Sequence, residues 1–339
     1  MAEVYKGVWS NPAGDFAEGP DSVKPMVERL AGAGFHLIIP VVKPGDGYMN
    51  YHSRIEKVRS KFKDWDPLEV LVREAKAAGL KVHPWMCVFP EGEGSSLVRR
   101  DPSLRMVDRH GRPRPWACPA SDEVRRHELS LYEEVMEDYD VDGVHMDYIR
   151  YDSEDVCFCR RCREGFREET GVDPLEIGKS SEYNVFRSRS RNRRHPAWAR
   201  WIEWRAKWVT KFVEELSRSA KARGKEVSAA VFMDYPECVV YQGQDWGDWG
   251  ERGLIDYAFP MTYTNSTLMV KRRTRNHVAQ VKGGCRLWEG LGKRSSRSNL
   301  STGKLIEQAE AALEEGAEGI VVFSYGALTD EDLRALSKL

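Results

Sequence analysis

The sequence predicts an α/β fold, a (β/α)8 TIM barrel with long βα loops, laid out as one catalytic domain over residues 1–339. Strand-like apolar runs alternate with helical patterns about eight times from end to end, which is the signature of parallel strands joined by crossover helices. No G-x-G-x-x-G follows the first strand, which argues against an open dinucleotide-binding sheet. Several strands also end in polar or aromatic residues, and the C-terminal rim is where a barrel of this kind carries its chemistry.

The elements follow in order. VYKGVWS, residues 4–10, reads as the first strand, and DSVKPMVERLAGAGF as a helix opened by Asp21 and Ser22 and closed by glycines. HLIIPVVKPG is the second strand, residues 66–80 the second helix, and KVHPWMCVFP the third strand. A long connection over about 91–120 shows no obvious structure, which suggests a functional loop. Ser121 and Asp122 would cap the next helix, which runs to about Tyr139. VDGVHMDYIRY is the fourth strand, followed by a second insertion at about 152–197 and a long helix at 198–224. VSAAVFMD, IDYAFPMTYT, RLWEGLG and GIVVFSYG are strands five to eight, with a helix at 302–316 between the last two.

Composition narrows the function. Hydrophobic residues make up 41% and charged residues 31%, with 11 Trp and 13 Tyr, so the chain can bury a large core and is not disordered. Lys and Arg total 52 against 53 Asp and Glu, so no global basic field exists to hold a nucleic-acid backbone. No run of about eighteen apolar residues and no signal-like N-terminus occur, so the expectation is a cytoplasmic chain without a membrane partner; a homo-oligomer is compatible with it. FRSRSRNRR at 186–194 is the one low-complexity basic tract and reads first as a solvated loop, with a lid or anion-facing surface as the alternative; KRRTR at 271–275 is a further basic run.

Strand alternation places Gly143, His145 and Asp147 on one face of the fourth strand, with Val144, Met146 and Tyr148 on the other. The first set would point into the barrel, with Asp147 at the rim and Arg150 a candidate partner. Trp9, Lys43, His83, Trp85, Tyr263 and Tyr325 end other strands, and together with His145 and Arg150 they are the candidate substrate contacts. Carboxylates among aromatic platforms suit sugars, whose C–H faces stack on rings while polar groups take the hydroxyls. Cleaving a glycosidic bond uses two carboxyl groups, about 5 Å apart for retention and about 6.5–9.5 Å for inversion. Asp147 is one, as nucleophile or base; Glu289, slightly preferred, or Asp234 is the acid. His83 and His145 read as hydrogen-bonding core residues rather than metal ligands.

Seven cysteines, an odd number with four in one region, argue against a disulfide framework. Cys157, Cys159 and Cys162 form a C-x-C-x2-C cluster that can converge on a tetrahedral zinc, with Cys118 as the fourth ligand. Four thiolates leave no open position, so such a zinc would be structural and would pin two rim loops together.

DVDGVHMDYIRYD, with VDRHGRPRPWACPASDEVR before it and QDWGDWGERGLIDYAFPMTY after it, resembles the glycosyl-hydrolase-like family related to glycoside hydrolase family 10. The resemblance runs from the first strand to the sixth and implies a (β/α)8 barrel acting on an oligosaccharide or polysaccharide. GRPRPWACPAS together with CFCRRCREGF is similar to the zinc-binding cysteines of family 42 β-galactosidases, which implies Cys118, Cys157, Cys159 and Cys162 as ligands. Families 42 and 10 carry a glutamate acid on strand four, usually after an asparagine, whereas Asp147 follows Met146, a pattern nearer to α-amylase-like barrels. Two other classes compete with a glycoside hydrolase: a carbohydrate-binding barrel without catalysis, and a protein that binds an anionic polymer through its basic tracts.

Overall fold

The computed structural model describes residues 4–179 and 195–339, so the basic tract 186–194 lies outside the described residues. Eight strand positions close into a parallel barrel. They are β1 (Tyr5–Ser10), β2 (Leu37–Lys43), β3 in two pieces (Lys81–Val82 and Trp85–Cys87), β4 (Gly143–Asp147), β5 (Glu226–Val231), β6 (Tyr257–Pro260), β7 (Arg286–Gly292) and β8 (Gly319–Phe323). Closure is explicit, because β1 pairs in parallel with both β2 and β8. β3 breaks at His83 and Pro84, where the proline has no N–H to give the ladder.

Inside the ring, Trp9, Leu37, Ile39, Ala230, Tyr257, Phe259, Trp288 and Val321 fill the bore. A larger apolar layer packs the outer strand faces against the helices. Helix starts follow the sequence logic: Asp66 accepts from the amides of Leu68 and Glu69 with Pro67 in the first turn, and Ser121 and Ser301 cap through Val124 and Lys304.

Several elements depart from the expectation, among them helices at Arg160–Thr170 and Asp330–Leu336. The connection after β3 contains an antiparallel hairpin, Arg105–Val107 with Pro113–Ala117, rather than unstructured chain. Between β6 and β7 lies a helix, Thr267–Val281, that the apolar pattern does not announce. Its buried seam is Val270, Thr274, His277 and Val281; two of these are polar, so the seam carries too little hydrophobic contrast to read.

Candidate functional site

A cavity of about 590 Å³ opens at the C-terminal ends of the strands, the size of an ordinary small-ligand site. Ser10 and Asn11 at the end of β1, Val41 with Pro44, Gly45 and Asp46 at the end of β2, Trp85 and Cys87 of β3, Tyr148 after β4 and Phe323 with Ser324 at the end of β8 contribute to its wall. Trp116, delivered by the hairpin, and Pro90 close another side. The hairpin reaches the rim because Glu91 donates its amide to Pro115 O at 2.9 Å, beside a bridge between Pro90 and Trp116.

Asp147 adjoins this cavity through its neighbours. It is the ladder partner of Cys87 and directly precedes Tyr148, both of which line the cavity. The inward parity expected for Gly143, His145 and Asp147 holds: a side chain on Gly143 would collide with His83, and the His145 ring packs in the bore on Phe259. Asp147 is only 6% exposed. Its Oδ1 accepts from the Tyr148 amide and from Arg150 at 3.1 Å, while Oδ2 accepts no hydrogen bond among the described residues. Burial pushes this carboxyl above the usual aspartate range, with Arg150 and the Tyr148 amide opposing the shift. The Arg150 guanidinium is itself sandwiched, 4.2 Å from the Tyr148 ring centre and 4.7 Å from that of Phe232.

Tyr148 has φ +52, the left-handed region. For a bulky L-residue this conformation costs on the order of 1–2 kcal/mol, and such strain collects at ligand-facing positions. Tyr148, expected on the outward face with Val144 and Met146, instead lines the cavity beside Trp116, because the strand ends at Asp147 and the left-handed turn breaks the alternation; Trp116, Asp46 and Asp15 were not expected from the sequence. Asp46 lines the cavity and holds Arg59 Nη2 at 2.9 and 2.7 Å. Asp15 stands behind the wall, accepting from Ser10 Oγ at 2.8 Å and Asn11 N at 2.7 Å, and burial raises its carboxyl.

The other expected site residues divide. Trp85 lines the cavity, and Tyr263 stacks on Phe323, with the charge of Asp147 helping to hold its phenol protonated after burial. Trp9 and His145 lie beneath the floor in the bore, where Trp9 Nε1 donates to His145 Nε2 at 3.2 Å. That contact leaves the proton on Nδ1, which donates to Ser228 Oγ at 2.9 Å. Burial, then the neighbouring His83, keeps the His145 ring neutral.

Five placements are corrections. Glu289 is fully buried on the outer wall of β7, because Trp288 and Gly290 take the inward parity. There it accepts from Thr262 and from Thr274 at 2.9 Å and contacts His277 Nδ1 at 3.1 Å, against the helix layer and away from the cavity. Lys43 also faces outward, because the β2–β3 register shifts between Val41 and Lys43 and reverses the alternation. Its Nζ sits in a sealed triad with Glu91 at 2.6 Å and Glu128 at 2.8 Å. His83 is at the opposite end of the bore, contacting Ser228 at 3.0 Å and Glu226 at 3.1 Å among residues that begin the strands. Tyr325 turns away to accept from Arg29 at 2.7 Å. Asp234 sits on an exposed loop, ion-paired with Arg273.

Within KRRTR, Lys271 and Arg275 pair with Glu314 and Glu315, so with Arg273 most of that run is neutralised locally. No helix among the described residues is long and apolar enough to cross a membrane.

The four cysteines do converge. Cys118, Cys157, Cys159 and Cys162 are buried with all sulfurs within 4.8 Å of one another, Cys118 lying 3.4 Å from Cys162 and 3.8 Å from Cys159. A tetrahedral ion with sulfur at about 2.3 Å requires sulfur–sulfur edges of about 3.8 Å, so the set is compatible with a metal. The local fold assembles it: Phe158 donates to Val107 O at 2.7 Å and Cys118 to Leu104 O at 2.8 Å, which lays the loop after β4 along the hairpin.

The closed eight-stranded barrel is a fold shared with solved glycoside hydrolase domains. The chain resembles the glycoside hydrolase domain of PgaB (BpsB) from Bordetella bronchiseptica, with a TM-score of 0.76 and 14% identity over 99% of this chain and 98% of that one. The catalytic domain of a β-amylase from Paenibacillus polymyxa superimposes with a TM-score of 0.67 and 14% identity over 100% and 98%. Residues 4–294 match Glycosyl hydrolase-like 10, and the chain belongs to that family. It is also 25% identical over 264 residues to an S-layer-related protein of Niallia circulans, covering 67% of this chain but 16% of that protein's length.

Proposed function

We propose that the barrel is a glycoside hydrolase acting on an oligosaccharide or polysaccharide, with Asp147 as the carboxyl that meets the scissile bond. The observation that carries this reading is Asp147 itself: inward at the end of β4, one oxygen fixed by Arg150 and the Tyr148 amide, the other free beside an aromatic-walled cleft. The second carboxyl in this reading is Asp15, whose Oδ2 holds the cavity-lining Ser10 and Asn11, rather than Glu289 or Asp234. The four-cysteine cluster is read as a structural zinc site, in which Cys118 ties the Trp116 hairpin to the loop carrying Cys157, Cys159 and Cys162.

The test is a screen of aryl glycosides and natural glycans with wild type, Asp147→Asn and Asp15→Asn in parallel. Asp147→Asn should cut turnover at least about a thousandfold. Asp15→Asn should harm natural glycans far more than aryl glycosides, whose good leaving groups need little protonation. Sugar binding without turnover in the wild type would instead establish a non-catalytic carbohydrate-binding barrel. Binding that collapses with added salt would favour an anionic polymer.

A further inference from the structure

Beside the four cysteines lies a buried polar pair whose charge and hydroxyl the rest of the fold leaves uncompensated. Arg205, on the helix Trp198–Ala222, is 1% exposed, and its guanidinium carbon lies 4.6 Å from the centre of the fully buried Tyr151 ring. Its Nη1 donates to Val240 O at 3.1 Å, and its Nη2 to Ser153 O at 2.6 Å and Tyr241 O at 3.1 Å. Its Nε and the Tyr151 hydroxyl have no partner, and among the described residues no carboxylate is ion-paired with the guanidinium. The same helix face carries Trp201 and Trp204, which pack on Phe158 and Phe166, residues interleaved with Cys157, Cys159 and Cys162. Both polar groups feel the sulfurs. Burial raises the Tyr151 phenol well above its usual range, and Cys162 and Cys118 add to that shift. Burial lowers Arg205, and Tyr151, Glu154, Cys157 and Cys162 oppose the change.

A dication held by four thiolates carries two excess negative charges. Sealed in the interior, that charge is costly unless a cation and hydrogen-bond donors face it, and a buried guanidinium is costly unless an anion does. Each charge meets the need of the other. We infer that Arg205 and Tyr151 form the outer sphere of the metal–thiolate site, Arg205 as its counter-charge and the Tyr151 hydroxyl as a donor towards its sulfurs. The inference rests on the zinc reading above and adds to it two residues that touch no metal. Through Ser153, Val240 and Tyr241 the same guanidinium ties the loop after β4 to the last turn of the short helix Glu237–Gln242 after β5. The bland alternative is that Arg205 does no more than cap that turn.

The experiment measures zinc affinity by competition with a chromophoric chelator, for wild type, Arg205→Gln, Arg205→Lys and Tyr151→Phe in the whole chain. Cobalt(II) spectra report the ligand set of each protein, and thermal midpoints are recorded with and without zinc. Arg205→Gln should weaken zinc binding about tenfold or more, and Arg205→Lys, which keeps the charge, should lose clearly less. Tyr151→Phe should weaken it about threefold or more while the zinc-free midpoint stays level or rises, because the orphaned hydroxyl is gone. The cobalt spectrum should keep its four-thiolate form throughout. If Arg205 only caps the helix, Arg205→Gln lowers the midpoint equally with and without zinc, both variants bind zinc within about twofold of wild type, and the inference fails. Equal losses for Arg205→Gln and Arg205→Lys would overturn the counter-charge. Should Arg205→Gln not fold, Tyr151→Phe decides alone. Failure of the zinc reading looks different: wild type itself takes up neither zinc nor cobalt.

Discussion

Replacing Lys43 by Met tests the reassignment of that residue from substrate contact to buried cation. In the native protein its Nζ contacts Glu91 and Glu128 at 2.6 and 2.8 Å and the carbonyls of Cys87 and Val88 at 3.2 and 3.0 Å, with no side chain of the triad more than 1% exposed. Two carboxylates against one cation leave one excess negative charge. The remaining oxygens, Glu91 Oε2 and Glu128 Oε1, are buried without a donor, so a proton on Glu128 satisfies both. Accordingly, burial and the neighbouring Glu91 push Glu128 well above the usual range, whereas Lys43 holds Glu91 below it against the effect of burial. A raised carboxyl takes up a proton on folding, so its contribution is full at acid pH and declines as pH rises through the native value.

Lys43→Met strands both carboxylates, which costs about 3–5 kcal/mol. An unfolding entropy of about 2.1 cal/mol/K per residue over 339 residues is about 0.7 kcal/mol/K, so the midpoint should fall by about 4–7 °C. Glu91 must now also bind a proton, adding about one proton of uptake and about 1.4 kcal/mol per pH unit to the pH dependence. Scanning calorimetry at pH 6 and pH 8 should therefore show the gap between variant and wild type widening by about 4 °C. A loss under 2 °C, or one equal at both pH values, would refute the buried triad. A Lys43 that touched substrate would instead raise KM at unchanged stability.

Two further outcomes follow from the placements of the cysteines and of Glu289. Purified protein should carry close to one zinc per chain, and Cys118→Ser should lose it together with more than about 5 °C of thermal midpoint, read by elemental analysis and calorimetry; zinc well below one equivalent in the wild type would remove the four-thiolate proposal. Glu289→Ala should leave kcat/KM within about threefold while destabilising the fold by about 1–3 kcal/mol, because it strands the buried Thr262 and Thr274 hydroxyls and the His277 ring without a partner; a hundredfold loss of activity would return Glu289 to the cleft.

The sequence by itself determined the eight-stranded order, the inward face of β4 with Asp147 at its rim, and the meeting of Cys118 with the C-x-C-x2-C cluster. Each of these is a local signal: apolar runs against helical period, two-residue alternation counted over five residues, and ligand spacing. Where local alternation was silent or interrupted, only the tertiary structure could decide. RLWEGLG carries a charged residue on each face, Arg286 on one and Glu289 on the other, and the face that turns inward is the one whose Gly290 meets the Trp9 ring in the bore. The β2 bulge that reverses Lys43 exists only in its pairing with β3. His83 and Trp85 share one strand and one face, yet the first sits with the strand beginnings and the second in the cleft, because depth along a bore is set by the stagger of neighbouring strands. The Trp116–Tyr148 corner joins a hairpin to a left-handed turn thirty-two positions further along, and period and propensity carry no information over that distance.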